Sequence, residues 1–567
     1  MADVGLTEGG ERTTVEPGAA VEPGVPSASR FAERLPRWPD WPRRHPRLAW
    51  AAGLAVAALV LYAAYLRQAQ TLELDADPAA QALQAWQMLH GNLLLSGWWL
   101  GDISFYTVEL PLNMLIELVY GLRPGEVHIL AALIYTAVVL LGALLARGNA
   151  RGGEGIVRAL LAAGIMLAPS LQYGTEILLQ GPNHTGTIIP ILVMLLILDR
   201  APEERWWVPV AVGVLLVWGQ VNDPLATYAA ALPVALACGV RACAEIARRQ
   251  RPPWARWYDT SLAVAALLSI ALAHLILSKI HAAGGFYMPP PRFGTGFVPV
   301  TALPAQFWVT IYCVLILFGA DFIGQQMGIN AILAILHLAG VALGFWGLWI
   351  GLRGFFSRID RVTQVLVAGT IIVLAAGAFG PYMTPVAGAH EIVTVLPFCA
   401  VLAGRLLGPR LAKARLEPVL ALGLVCYLGA LAHNDLQPVQ TPWHQDLANW
   451  LETHHLTNGL SGGGEANITT LDSDGRVRLA PLFDGGASAH AYESDYAWYN
   501  PAVSQANFIV TVTWPPGDVA DIKPSVIAAQ FGSPAHTYHF KEYTIRVYDY
   551  NLLTRLQIPA IGGFKSP

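Results

Sequence analysis

Residues Leu48–Leu66 read LAWAAGLAVAALVLYAAYL, and shortly after them comes Leu74-Asp75-Ala76-Asp77-Pro78. The first stretch is an unbroken apolar run close to the roughly 20 residues that cross the hydrocarbon core of a bilayer. The second places carboxylates just past the far end of that run, where ionised groups are costly unless they are used or solvated. Behind them, Ala79 to His90 has helical spacing and stops at Gly91. A spanning helix with acids at its mouth sets the frame for the rest of the chain.

Composition extends that frame. The 567 residues are 54% hydrophobic and 13% charged, with a mean hydropathy of +0.46. Soluble domains carry about 25% charged residues, so this is an integral membrane protein with the lipid bilayer as a partner. The net charge is −4 and no basic block is present, which excludes a nucleic-acid groove. Cys238, Cys243, Cys313, Cys399 and Cys426 lie in or beside apolar runs, without metal spacing or a disulfide framework. They read as small buried hydrophobes. Residues 1–45 are rich in Pro, Gly, Ala, Glu and Arg without an apolar period, and read as a disordered cytoplasmic tail. That tail is too long for the charged start of a secretory signal, and no A-x-A site follows the run, so the first span is an uncleaved anchor. The preference for Arg over Lys suits a GC-rich bacterial genome and hence a bacterial plasma membrane.

About eleven spans are predicted, near 48–66, 127–146, 155–170, 186–199, 207–222, 225–243, 259–280, 329–351, 362–379, 391–407 and 416–432. Arginines follow alternate spans: Arg147 and Arg151, Arg200 and Arg205, Arg248, Arg249, Arg251 and Arg256, Arg353, Arg358 and Arg361, then Arg405, Arg410, Lys413 and Arg415. All fall on the side of the Arg-rich tail, as the positive-inside rule requires. The N-terminus is therefore expected in the cytoplasm and the region after 433 outside. Within the membrane domain, 46–432, the first outer loop, 67–126, holds Trp98, Trp99 and an amphipathic stretch from Tyr106 to Leu122 suited to the interface plane. The aromatic stretch near 303–320 reads either as an interfacial helix or as a pair of half-spans.

From Pro442 the composition changes to that of a small α/β domain, 433–567, long enough for its own core. Asp446–Leu456 has helical spacing; Ile468–Leu471, Arg476–Leu479, Asn507–Val512 and Tyr543–Tyr548 read as strands. Ser461–Asn467 is Gly-rich and reads as a turn, with a ligand loop as the other reading. Tyr492, Tyr496, Trp498 and Tyr499 suit either sugar stacking or ordinary packing.

An acidic residue in the first outer loop, a helix ending in Met88-Leu89-His90-Gly91, and then a Pro-containing amphipathic helix together resemble the glycosyltransferase C (GT-C) superfamily. Its members include the protein O-mannosyltransferases and aminoarabinose transferases. In that family the acid precedes a helix ending in Met-Leu-x-Gly, which here selects Asp77, with Asp75 before it. The family's Pro-Pro element corresponds to Glu109-Leu110-Pro111-Leu112, with Glu109 and a single Pro. Its late Arg-Tyr pair corresponds to His390-Glu391, ahead of Leu396-Pro397. The resemblance implies an all-α polytopic membrane bundle of GT-C type with interfacial helices in its first outer loop, plus the C-terminal extracytoplasmic domain.

The resemblance also implies an activity: transfer of a sugar from a polyprenyl-phosphate donor to a glycan, lipid or protein acceptor outside the cytoplasm, with inversion. The attacking hydroxyl must lose a proton, and a carboxylate is a natural general base. Asp77 is the candidate, with Asp75 beside it. Read without the family, Asp77 before Pro78 is also a good helix N-cap. The departing phosphate calls for positive charge, and Arg292, Lys279, His281 and His390 lie on the outer face; Arg292 has the matching fork geometry. Glu109, His184, Asp223 and Glu391 are expected to line the pocket. His184 and Asp223 are also the residue types for a possible divalent cation, although an Asp-Pro turn explains Asp223 equally. Two other functions compete: a secondary transporter, which calls for repeated halves and charges at the midplane, and a non-catalytic protein that binds or assembles glycans.

Overall fold

The computed structural model describes residues 46–171, 173–181, 183–201, 205–248, 253–289, 296–356, 359–381, 383–442, 444–512 and 522–560. The tail and Arg292 lie outside these residues. The chain divides into residues 1–57 and 58–567, and the packing described below belongs to the second.

The helices in order are α1 (Pro46–Ala69), α2 (Ala76–Leu89), α3 (Glu109–Tyr120), α4 (Gly125–Arg147), α5 (Gly152–Met166), α6 (Ile188–Arg200), α7 (Trp207–Asn222), α8 (Leu232–Arg248), α9 (Pro253–Ala282), α10 (Leu303–Leu317), α11 (Ile329–Gly354), α12 (Arg361–Phe379), α13 (Val395–Lys413) and α14 (Glu417–Asp435). The predicted spans fall on α1, α4–α9 and α11–α14. Among the described residues, eight helical stretches are long and apolar enough to cross a membrane. The helices α5, α6 and α7 have only 15, 13 and 16 residues. At 1.5 Å per residue they reach about 20–24 Å, short of the roughly 30 Å core. They stop early because the chain turns irregular after α5, before α6 and after α7. Non-helical backbone at such depth is tolerated only where protein or a cavity surrounds it.

Small residues set the packing inside the bundle. On α11, Gly340, Gly344, Gly347 and Gly351 lie along one side. A Cβ on Gly347 would sit 2.7 Å from the Ala403 amide nitrogen, and one on Gly344 3.0 Å from the Cys399 Cβ. Such close backbone approach is how helices associate in a membrane.

Charge orders the two ends. The Arg405 guanidinium donates to the Leu145 carbonyl at 2.9 Å and pairs with Asp199 at 2.8 Å and Asp360 at 3.0 Å. Arg361 and Arg241 both pair with buried Asp259, at 2.6 and 3.4 Å. These contacts tie the ends of α4, α6, α8, α9, α12 and α13 together at one end of the bundle. Arg361 and Arg405, from two of the predicted arginine clusters, thus share a face.

The ambiguous stretch is α10. Its first turn lies at the far end of α12, where Gln306 donates to the Gly380 and Met383 carbonyls. Its last residues reach only halfway down α11, with Phe318 3.3 Å from a Cβ built on Gly344. The chain then climbs back through Gly319 to start α11, so α10 re-enters on the side it left and keeps the order of the later spans.

The C-terminal region adds α15 (Gln445–Thr453), α16 (Gly463–Asp472) and α17 (Pro524–Phe531) around a sheet. Its strands are β2 (Asn458–Gly462), β3 (Arg478–Phe483), β4 (Ser488–Ala489), β6 (Phe508–Val512), β7 (His536–Phe540) and β8 (Tyr543–Val547), in the order β4-β3-β2-β6-β8-β7. β2 runs parallel to both β3 and β6; the remaining pairs are antiparallel. Ile468–Leu471, expected as a strand, is the end of α16, because the Gly-rich segment after β2 starts a helix that must fill the crossover to parallel β3.

The first loop and this domain share a core. β1 (Trp98–Trp99) pairs antiparallel with β5 (Ser494–Asp495). Trp98 and Trp99 are fully buried. Their rings meet Trp498 at 5.4 Å, Tyr496 at 5.6 Å and Tyr499 at 6.0 Å. The Tyr496, Trp498 and Tyr499 rings are thus packing residues. The helix α3 has an inverted pattern, burying Glu109, Asn113 and Glu117 while exposing Leu115, Leu118 and Val119. An exposed apolar face with a buried polar one suits a helix lying against lipid.

Candidate active site

The end of the bundle opposite the arginine pairs gathers the acids and histidines. Asp77 is brought there by α2, whose N-cap is Asp75: the Asp75 carboxylate accepts from the Ala76 amide at 2.7 Å. The cap reading therefore belongs to Asp75, and Asp77 stands free of it in the first turn. α2 is fixed from two sides. The loop before α6 presses on it so closely that a Cβ on Gly181 would lie 2.1 Å from the Pro78 ring. On the other side Gln87 donates to Asp495 at 2.9 Å.

The second component is a buried network. The Asp223 carboxylate is fully buried at the end of α7. It accepts from His184 Nδ1 at 2.8 Å, from the Thr187 hydroxyl at 2.8 Å and from the Leu225 amide at 2.8 Å. Glu391 lies 3.8 Å from the other His184 nitrogen. Burial alone would pull the His184 pKa down, but the Asp223 and Glu391 carboxylates outweigh it and hold it well above the ordinary value. The two carboxylates thus favour the charged form of His184. Burial pushes Glu391 up, yet His184 outweighs that and holds it low. Next to them, burial lowers His390 to about 4, with the His184 charge adding to the effect. His390 is therefore neutral and offers a single ring N–H.

Glu109 stands behind this wall, fully buried. Its Oε2 accepts from Asn222 Nδ2 at 2.7 Å, and its Oε1 has no hydrogen-bond partner. Burial raises its pKa to about 8. Asn222 is the hub that sequence reading passed over as part of a turn. Its side-chain oxygen accepts from the Thr107 and Val108 amides at 3.1 and 2.9 Å. Its backbone carbonyl accepts from the Ser104 and Phe105 amides at 3.1 and 3.2 Å. One side chain thereby clamps the start of α3 onto the end of α7. A Cβ on Gly186 would fall 2.0 Å from Glu109 Oε1, so only glycine lets the α6 loop pass.

Asp102 joins the two components. Its charged neighbours are His184, Glu391 and Asp223 on one side, and Glu493 of the C-terminal region on the other. Glu493 is 5% exposed, and Asp77, Asp75 and Asp102 are its charged neighbours. Neither Asp102 nor Glu493 carried a sequence signal beyond being acidic. The structure does not gather all the expected cations: Lys279 and His281 sit exposed on the last turn of α9. As for a divalent cation, the Asp223 oxygens are taken up by His184, Thr187 and Leu225, and among the described residues no three His, Cys, Asp or Glu side chains form a metal-holding group.

No protein-family model matches the chain, and no curated protein matches it. Solved structures do. ArnT from Cupriavidus metallidurans in the apo state superposes with a TM-score of 0.53 at 12% identity, covering 88% of this chain and 98% of ArnT. The archaeal oligosaccharyltransferase AglB from Archaeoglobus fulgidus, in complex with an inhibitory peptide and a dolichol-phosphate, gives 0.43 at 12% identity over 83% of this chain and 70% of its own. ArnT from Cupriavidus metallidurans bound to undecaprenyl phosphate gives 0.40 at 14% identity, with 88% and 98% covered. The match to apo ArnT runs over nearly its whole length: this chain is a polytopic membrane protein with the GT-C fold.

Proposed function

We propose that the protein is a membrane glycosyltransferase that moves a sugar from a polyprenyl-phosphate donor to an acceptor hydroxyl on the extracytoplasmic face. The observation that carries this reading is the convergence of Asp77, Asp102, His184, Asp223 and Glu391, from separate parts of the chain, at one end of a bundle with the fold of ArnT. The cation-rich ends of the helices lie at the other face, which supports a cytoplasmic N-terminus and an outer C-terminal domain.

In this reading the acceptor oxygen attacks the anomeric carbon from the side opposite the phosphate. The C–O bond to phosphate breaks, the new glycosidic bond forms with inversion, and the phosphate leaves with the electron pair. Asp77 takes the acceptor's proton as general base. His390, neutral, donates one N–H toward the phosphate. His184, Asp223 and Glu391 line the wall, with Glu109 supporting it from behind.

The test is purified protein in lipid nanodiscs given a panel of undecaprenyl-phosphate-linked sugars, with consumption of each donor as the readout. Asp77→Asn should lower turnover by about 10²–10⁴-fold, the range of a lost general base, with folding unchanged. Full activity in that variant would sink the role of Asp77, and a wild-type protein that consumes none of the donors would count against the transferase reading.

A further inference from the structure

A polar cavity lies where the return from α10 to α11 meets the chain beyond α5 and the end of α14. Its volume is about 20 Å³, and Ser170, Asp321, Gln325, Asn330, His337 and Asn434 line it among apolar residues. A space of roughly 10–15 Å³ already holds one water-sized occupant. We infer that this cavity binds one small monovalent cation, of the kind of Na⁺, on the Asp321 carboxylate and the neutral oxygens around it. None of the residues assigned to sugar transfer lines it, so the inference stands apart from that reading.

The site is built from a glycine turn. Gly319 has a φ of 76°, in the left-handed region that favours glycine, and reverses the chain after α10. A Cβ there would lie 3.1 Å from His337 Nδ1, so the turn rests on the His337 ring, which meets Tyr427 of α14 edge-on at 4.7 Å. The chain then delivers Asp321 into the bundle, where it is 1% exposed. A carboxylate at membrane depth is costly unless a counter-charge meets it. Ser170 and Gln325 are its polar neighbours, yet among the described residues neither Asp321 oxygen, nor the Ser170 hydroxyl, has a hydrogen-bond partner of good geometry. The His337 Nδ1 is likewise without one, and no Lys or Arg among the described residues lines the cavity.

What the lining does offer is oxygen. Asn434 is held by its amide N–H, which donates to the Pro169 carbonyl at 2.7 Å, so its side-chain oxygen is the end left for a ligand. Gln68 of α1 donates to the same carbonyl at 2.9 Å, which fixes the backbone next to Ser170. Gln325 is half-buried and Asn330 exposed, so the α10–α11 return is the open side by which an ion enters. Hard cations take oxygen ligands, and Ca²⁺ affinity rises with the number of charged ones. A single carboxylate among neutral oxygens matches a single positive charge. Bound there, the ion offsets the burial of Asp321 and ties the half-span's return to α11, α14 and the chain beyond α5.

The test uses the full chain in nanodiscs without substrate, with NaCl replaced stepwise by choline chloride at constant ionic strength, so that screening stays fixed. Choline is too large for the cavity. Wild type should unfold about 2 °C or more higher in NaCl, with a response that saturates as the site fills. Asp321→Asn should lose that response, and Ser170→Ala should need about tenfold more NaCl to reach half of it. Wild type alone gives an independent reading: radioactive Na⁺ should bind saturably and be displaced by unlabelled NaCl but not by choline. Equal midpoints in the two salts, or no bound label, would mean that water or a proton serves Asp321 and would overturn the proposal. A full response that persists in Asp321→Asn overturns it as well.

Discussion

Glu109→Gln should make the protein more stable at neutral pH. Burial raises Glu109 from 4.5 to about 8. The folded protein therefore holds this proton more tightly than the unfolded chain. The stability that this provides is complete below about pH 4.5 and is lost as the pH climbs through 8. A step of one in pKa is worth about 1.4 kcal/mol. The wild type has thus lost about 3 kcal/mol at pH 7 and about 5 kcal/mol above pH 8. Glutamine has the shape of the protonated acid, accepts from Asn222 in the same place, and cannot ionise. Thermal unfolding in nanodiscs between pH 5 and pH 8.5, followed by tryptophan fluorescence, should show a wild-type midpoint that declines and a variant midpoint that declines less. The curves should meet near pH 4.5 and separate above it. A variant less stable than wild type at pH 7, or two parallel curves, would refute the claim that Glu109 is a neutral buried acid.

Three further substitutions test the supports of the site. Gly186→Ala drives a methyl into Glu109 and should cost about 1–3 kcal/mol by overpacking, read as a lower unfolding midpoint. Asn222→Ala strands the Thr107 and Val108 amides and should cost about 3 kcal/mol or more, since each buried unpaired group costs about 1–3 kcal/mol; hydrogen exchange should rise first at residues 104–110. Asp259→Ala leaves the Arg361 and Arg241 guanidinium groups facing each other in the bundle, and should cost about 3–5 kcal/mol as a broken buried ion pair, with sugar transfer per folded molecule unaffected.

The bundle was largely legible in the sequence because apolar length is a local property. Each predicted span fell on a helix, and Arg361 and Arg405 of the predicted clusters meet acids at one end of the bundle. The stretch at Leu303–Leu317 resisted reading because hydropathy reports what surrounds a helix, and a half-span meets the same surroundings as a full one. Within the site, Asp77, His184, Asp223 and Glu391 stood out as ionisable residues next to apolar runs. Asn222 did not, since a hub made by its backbone and amide has no signature other than turn-forming Asn. Glu493 did not either: it lies among aromatic residues whose packing drew the attention, and the acids it faces, Asp75, Asp77 and Asp102, are at the other end of the chain.

The arrangement of protons follows from which partners each carboxyl meets. Asp223 accepts from His184 and two further donors, and Glu391 faces the same His184, which holds the Glu391 carboxyl low. For Glu109, burial outweighs both the Asn222 hydrogen bond and the nearby His184 and pushes the acid toward its protonated form. Pairs of titratable groups pushed apart in this way reveal which group donates and which accepts.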